Sequence, residues 1–141
     1  MTIRITGVDA LHKKLGSAAA NATLRRPMQS SVQVLKTRMA YEPPQRPPAN
    51  PKRRYIRGYG MEGGKATSEN LGKSWTSKVQ ATIQGLLGVV GNDTTYGPWV
   101  QSEQFQAGIH RNYWQTDRDA IQGETARIVR FFKDAIDRAL S

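Results

Sequence analysis

The chain has no cysteine, two histidines and few aromatic residues, 8% of its 141 positions. Without cysteine there is no disulfide, no thiolate metal site and no thiol nucleophile. His12 and His110 stand far apart, with no His-x-x-x-His spacing, so the usual zinc sets are missing as well. No apolar run approaches the roughly 20 residues of a membrane span. The opening stretch MTIRITGVDA lacks the apolar core of a signal peptide. A soluble protein made in a cytoplasm, with no membrane partner and no cofactor, is the expectation. The length is close to that of a common single domain, and residues 1–141 are read as one.

Acid is scarce too. Eleven Asp and Glu face 21 Lys and Arg, a net charge of +10. The excess is uneven: residues 1–42 and 43–66 carry +5 each, while residues 67–111 and 112–141 are each balanced. A field of this kind attracts polyanions or acidic protein surfaces, and it also keeps a chain soluble by self-repulsion. The acids form no isolated pair suited to general acid–base work. Asp117, Asp119, Asp134 and Asp137 interleave with Arg118, Arg130, Lys133 and Arg138, as on a solvated ion-pair face. The glycines of GYGMEGG precede no helix opening on Lys-Ser/Thr, so they make no phosphate loop. No enzymatic activity is expected.

The patterns that are present predict an α+β chain. Ile3 and Ile5 alternate with polar residues as in a short strand, and Asp9 suits the N-cap of a helix beginning at Ala10. Leu11, Leu15, Ala18, Ala19 and Ala22 follow at helical spacing, then Leu24, Met28, Val32, Leu35 and Met39. Pro27 between them either opens a second helix or kinks one long helix. Both readings stop at Tyr41-Glu42, before Pro43. In SWTSKVQATIQ, Trp75, Ser77, Val79, Ala81 and Ile83 share one face of a predicted strand; LLGVVG supplies its antiparallel partner, with a turn near Gly85. A short helix is expected from Pro98 to about Gln104, with QAGIHRNYW left between loop and strand. Thr116 and Asp119 then have capping-box spacing ahead of a C-terminal helix. Its apolar face is read as Ile121, Thr125, Ile128, Phe132, Ala135, Ile136 and Ala139.

Between the helical and strand regions lies PPQRPPANPKRRYIRGYGMEGG, residues 43–64, with five prolines, four glycines and five basic groups. Proline and glycine break helices, and proline cannot donate to a sheet ladder. A stretch of about 25 residues with so little apolar surface recovers little of the entropy that ordering costs. It is read as an arm at about 43–67, disordered in a free subunit and ordered against a neighbour. Basic residues alternate there with Tyr55 and Tyr59, which also suits phosphates and stacked bases. A non-specific nucleic-acid-binding protein therefore remains an alternative reading.

Residues 68–75 read SENLGKSW, and residues 92–101 read NDTTYGPWVQ. With the order of elements around them, these stretches resemble the small neck, or tail-completion, proteins of long-tailed bacteriophages across residues 68–141. That family opens its hairpin on Thr-Gly-x-Leu-x-x-Ser and follows it with Asn-x-x-x-Tyr-Ala-x-x-Val-Glu. Here the glycine before Leu71 is absent, Gly97 stands for the alanine, and Gln101 stands for the acid. The resemblance implies a structural virion protein that forms a homo-oligomeric ring at the head–tail junction. It would be assembled in the host cytoplasm and would meet other head–tail connector and tail proteins, with DNA in the lumen. The residues expected to contact a neighbour or a polyanion are Arg46, Lys52, Arg53, Arg54, Tyr55, Arg57, Tyr59 and Trp99.

Overall fold

A computed structural model describes residues 1–4, 9–44, 55–56, 60–61, 71–83 and 85–141. Its elements in order are β1 (Thr2–Arg4), α1 (Asp9–Leu15), α2 (Ser17–Ala40), β2 (Tyr55–Ile56), β3 (Gly60–Met61), β4 (Trp75–Thr82), β5 (Gly85–Asn92), α3 (Gly97–Gln101) and α4 (Asp117–Leu140). The fold is α+β. An antiparallel sheet of order β1-β5-β4 covers one side of α2, and α4 covers another.

One stripe of α2 supplies most of the core. Ala20, Leu24, Met28, Val32, Leu35 and Met39 are all buried, spaced so that they share the helix face that meets the sheet and α4. At roughly 1.5–3 kcal/mol for each large side chain, their burial contributes on the order of 10 kcal/mol before entropy is counted. Exposed ion pairs, at about 0–1 kcal/mol each, are minor beside it. Ser31 lies in the same stripe, and its hydroxyl donates to the Pro27 carbonyl at 2.7 Å.

The helix boundary differs from both sequence readings. α2 runs unbroken through Pro27, and the break falls at Gly16, where φ is +76°. Glycine alone enters that region without strain, so it ends α1 more sharply than a proline interrupts a helix held by packing on two sides. The phase also differs before Leu24: Ala20 is buried, while Ala19 and Ala22 face outward.

The hairpin follows its alternation. Trp75 pairs with Asn92 and Thr82 with Gly85 at the closing end of the hairpin. Trp75, Ser77 and Val79 face α2, but Ala81 and Ile83 are exposed because the hairpin tip projects past the helix. On β5 the inward positions are Leu86, Gly88 and Val90. Gly88 marks the closest approach of helix and sheet. A Cβ there would lie 2.6 Å from both Met28 Sδ and Val32 Cγ1. β1 adds the third strand, pairing Ile3 with Gly88, and the Met1 ammonium donates to the Val90 carbonyl at 2.9 Å.

α4 begins with the expected capping box. Thr116 Oγ1 accepts from the Asp119 N–H at 3.2 Å, and Asp119 Oδ2 accepts from the Thr116 N–H at 2.9 Å. Ala120, Ile128, Phe132 and Ile136 pack toward the core, whereas Ile121 and Thr125 lie outside it, correcting the expected face. Arg38 of α2 bridges to Glu124 of α4 at 3.0 Å.

Within the sequence read as an arm, Tyr55 pairs with Met61 and Ile56 with Gly60, so that stretch contains a short antiparallel pair. Tyr and Ile are strand formers, which the count of prolines and glycines obscured. Arg46, Lys52, Arg53, Arg54, Arg57 and Tyr59, with the expected order–disorder behaviour of the arm, lie outside the described residues.

Gly88→Ala is expected to lower stability by about 1–3 kcal/mol, because Val32 has no room to yield. Urea unfolding of the two proteins measures it, and a loss below about 0.5 kcal/mol would place the close approach elsewhere.

Candidate assembly surface

Residues 92–114 form a small lobe beside the core. Its interior is Leu71, Val100 and Trp114, flanked by Tyr96 and Tyr113. Asn92, the last residue of β5, ties the lobe to the sheet. Its Nδ2 donates to the Leu71 carbonyl at 2.8 Å, while Oδ1 accepts from the Thr94 N–H at 2.9 Å and the Thr94 hydroxyl at 2.7 Å. The turn so fixed brings Gly97 against Thr94: a Cβ at 97 would lie 2.9 Å from Thr94 Oγ1, which accounts for glycine at that position.

Gln101 is the second tie. It is 2% exposed and both ends of its amide are engaged. Nε2 donates to the Met39 carbonyl in the last turn of α2 at 3.0 Å, and Oε1 accepts from the Trp75 indole N–H at 3.2 Å. A carboxylate could accept from the indole but could not donate to the carbonyl. Gln106 closes the lobe, donating through Nε2 to the carbonyls of Val100 at 2.7 Å and Trp114 at 3.0 Å.

These bonds hold the exposed part. α3 ends at Gln101, three residues earlier than expected, because the Ser102 N–H caps the Pro98 carbonyl at 3.1 Å and the chain turns back. The Ala107 N–H then donates to the Trp99 carbonyl at 2.8 Å. Trp99 has a pinned backbone and is 58% exposed. Phe105 (51%) and Ile109 (75%) extend from the same folded-back segment. The other tryptophans are buried, Trp75 in the main core and Trp114 in the lobe. Lone apolar residues in the polar stretches SEQFQAG and GIHRN carry no periodic signal, so Phe105 and Ile109 were not legible as surface features.

Of the other candidate contact residues, Tyr55 opens β2 and the rest lie outside the described residues. Charged groups on the lobe and α4 pair at the surface. Arg118 bonds Glu103, and Lys133 bonds Asp137 at 2.6 Å. Each hydrogen bond, with the charge of its acid, raises the pKa of the basic partner. Among the described residues no three His, Asp or Glu side chains gather as a metal site would require. What the lobe offers is three exposed apolar side chains, Trp99, Phe105 and Ile109, on a hydrogen-bonded frame. Comparison of the chain with known families, characterised proteins and solved structures finds no match.

Gln101→Glu tests the tie. Burial raises the folded-state pKa of the new carboxyl above the unfolded value of about 4.3, so the folded state binds the extra proton and stability falls as pH rises between the two values. The cost is expected to be about 3 kcal/mol at pH 8 and smaller at pH 4–5, where a protonated carboxyl again donates to Met39. Urea unfolding at both pH values measures it, and a cost independent of pH would mean that the side chain is not enclosed.

Proposed function

We propose that this chain is a structural protein of a long-tailed phage virion, closing into a homo-oligomeric ring at the head–tail junction. The observation that carries the reading is the exposed Trp99, on the Asn92–Gln101 stretch that resembles the neck proteins, with Phe105 and Ile109 exposed on the segment that follows it. Large aromatics on a rigid frame lose little entropy on contact, and tryptophan is enriched among the residues that dominate interface energies. A ring needs a patch on one subunit that meets a different patch on the next, and closes when the rotation between them divides the circle. The basic first half of the chain gives such a ring a surface suited to DNA in the lumen or to acidic connector proteins. The proposed role is mechanical and includes no catalysis.

The function places the energetic weight of Trp99 between subunits. Trp99→Ala is expected to weaken subunit association by about 2 kcal/mol or more while shifting monomer unfolding by less than about 0.5 kcal/mol. Sedimentation velocity over a concentration series, beside urea unfolding, separates the two. Equal losses would make Trp99 a part of the fold. Unchanged association would remove this face from the interface.

A further inference from the structure

We propose that the outer edge of β4 pairs antiparallel with the same edge of a second copy of this chain, joining the two sheets into one. The contact is separate from the Trp99 surface and does not rest on the ring reading.

β4 is an edge strand, since the sheet runs β1-β5-β4. Hydrogen bonding identifies the backbone groups that it leaves over. Val90 of β5 exchanges both of its backbone bonds with Met1, accepting from the ammonium at 2.9 Å and donating to the carbonyl at 3.0 Å. Its groups therefore point to β1, and Ser77, its neighbour on β4, receives neither. Bonding alternates along an antiparallel strand, so the N–H and C=O of Ser77, Val79 and Ala81 all point away from β5. Among the described residues these groups have no partner. Edges are commonly blunted by shortness, proline or a bulge. β1, at the other side, is three residues long, but β4 keeps an unbroken register over eight residues without proline.

The strand's own sequence favours a second copy as the occupant. With a dyad at Val79 and perpendicular to the sheet, Val79 bonds the partner's Val79 and Ser77 bonds the partner's Ala81, roughly six backbone hydrogen bonds in all. Lys78 then lies opposite the partner's Gln80, and Thr76 opposite the partner's Thr82, so no like charges meet. A dyad one residue back would set two Lys78 ammonium groups against each other, which disfavours that register. The apolar end of the hairpin adds a second reason. Ala81 is exposed and Ile83 fully so, at 107%, because α2 does not reach them. In the antiparallel pair, that end of each hairpin runs beside the start of the partner's β4. Same-patch contacts of this kind are the commonest form of self-association.

Ala81→Pro, Gln80→Glu and Gln80→Lys test the edge. Proline at 81 removes an N–H that β5 does not use, so the monomer fold tolerates it. Sedimentation velocity over a concentration series is expected to show association that Ala81→Pro weakens about tenfold. Gln80→Glu, set against the partner's Lys78, should tighten it about fivefold, and Gln80→Lys should loosen it by a similar factor. Urea unfolding of each variant checks that the fold is unchanged; if Ala81→Pro unfolds, the two substitutions at Gln80 decide. A monomer at every concentration, or association indifferent to the charge at position 80, overturns the pairing. Trp99→Ala separates it from the ring: a dimer should remain. A Trp99→Ala protein that is only monomeric overturns the pairing. A wild type that never exceeds a dimer, and is untouched by Trp99→Ala, overturns the ring and supports the pairing.

Discussion

The sheet β1-β5-β4 and α4 are both placed by the apolar stripe of α2. Leu24, Met28, Val32, Leu35 and Met39 are buried because the sheet closes on one side of the helix and α4 on another. The close approach is made by a missing side chain, at Gly88, and not by a large one. Protein interiors pack at crystal density, so the position of α2 fixes the height of the hairpin and the line of α4 together.

The same helix also orients the surface. Its last turn offers the Met39 carbonyl to Gln101, and Gln101 in turn holds the Trp75 indole. One buried amide thus connects the end of α2, the start of β4 and the end of α3. Helix ends leave carbonyls without partners, and such groups are costly when buried. Here a side chain from a different element satisfies one of them. The consequence is a lobe that displays Trp99 without giving it freedom to fold away. The proposed ring would use such an anchored, exposed side chain to meet a neighbour in one orientation.

Much of this was legible in the sequence, and the exceptions have physical causes. Period-2 alternation around Trp75 and the Thr116–Asp119 spacing each report a local rule, and the hairpin and the α4 cap follow them. The helix break was misplaced because proline is the stronger breaker in isolation, whereas tertiary packing carries α2 through Pro27 and leaves Gly16 to turn the chain. The α4 face was misread at Ile121 and Thr125, since Ala120 is the residue that turns toward the core and the helix phase leaves those two outside it. Exposure of Trp99 was not deducible from residue type, because Trp75 and Trp114 are the same residue and are buried. Gln101 stood out in the sequence only as a departure from an acid, and its two bonds depend on elements 26 and 62 residues away.

The central claim is that this chain exists to assemble, and its mass in solution tests that most directly. Native mass spectrometry or light scattering of the purified protein, over a range of concentration and salt, is the measurement. The expected result is a single closed stoichiometry, a fixed multiple of 15.7 kDa, that persists as salt rises because apolar burial closes the contact. A chain that stays at 15.7 kDa at every concentration, and that binds duplex DNA with an affinity falling steeply with salt, would contradict it and favour a nucleic-acid-binding protein.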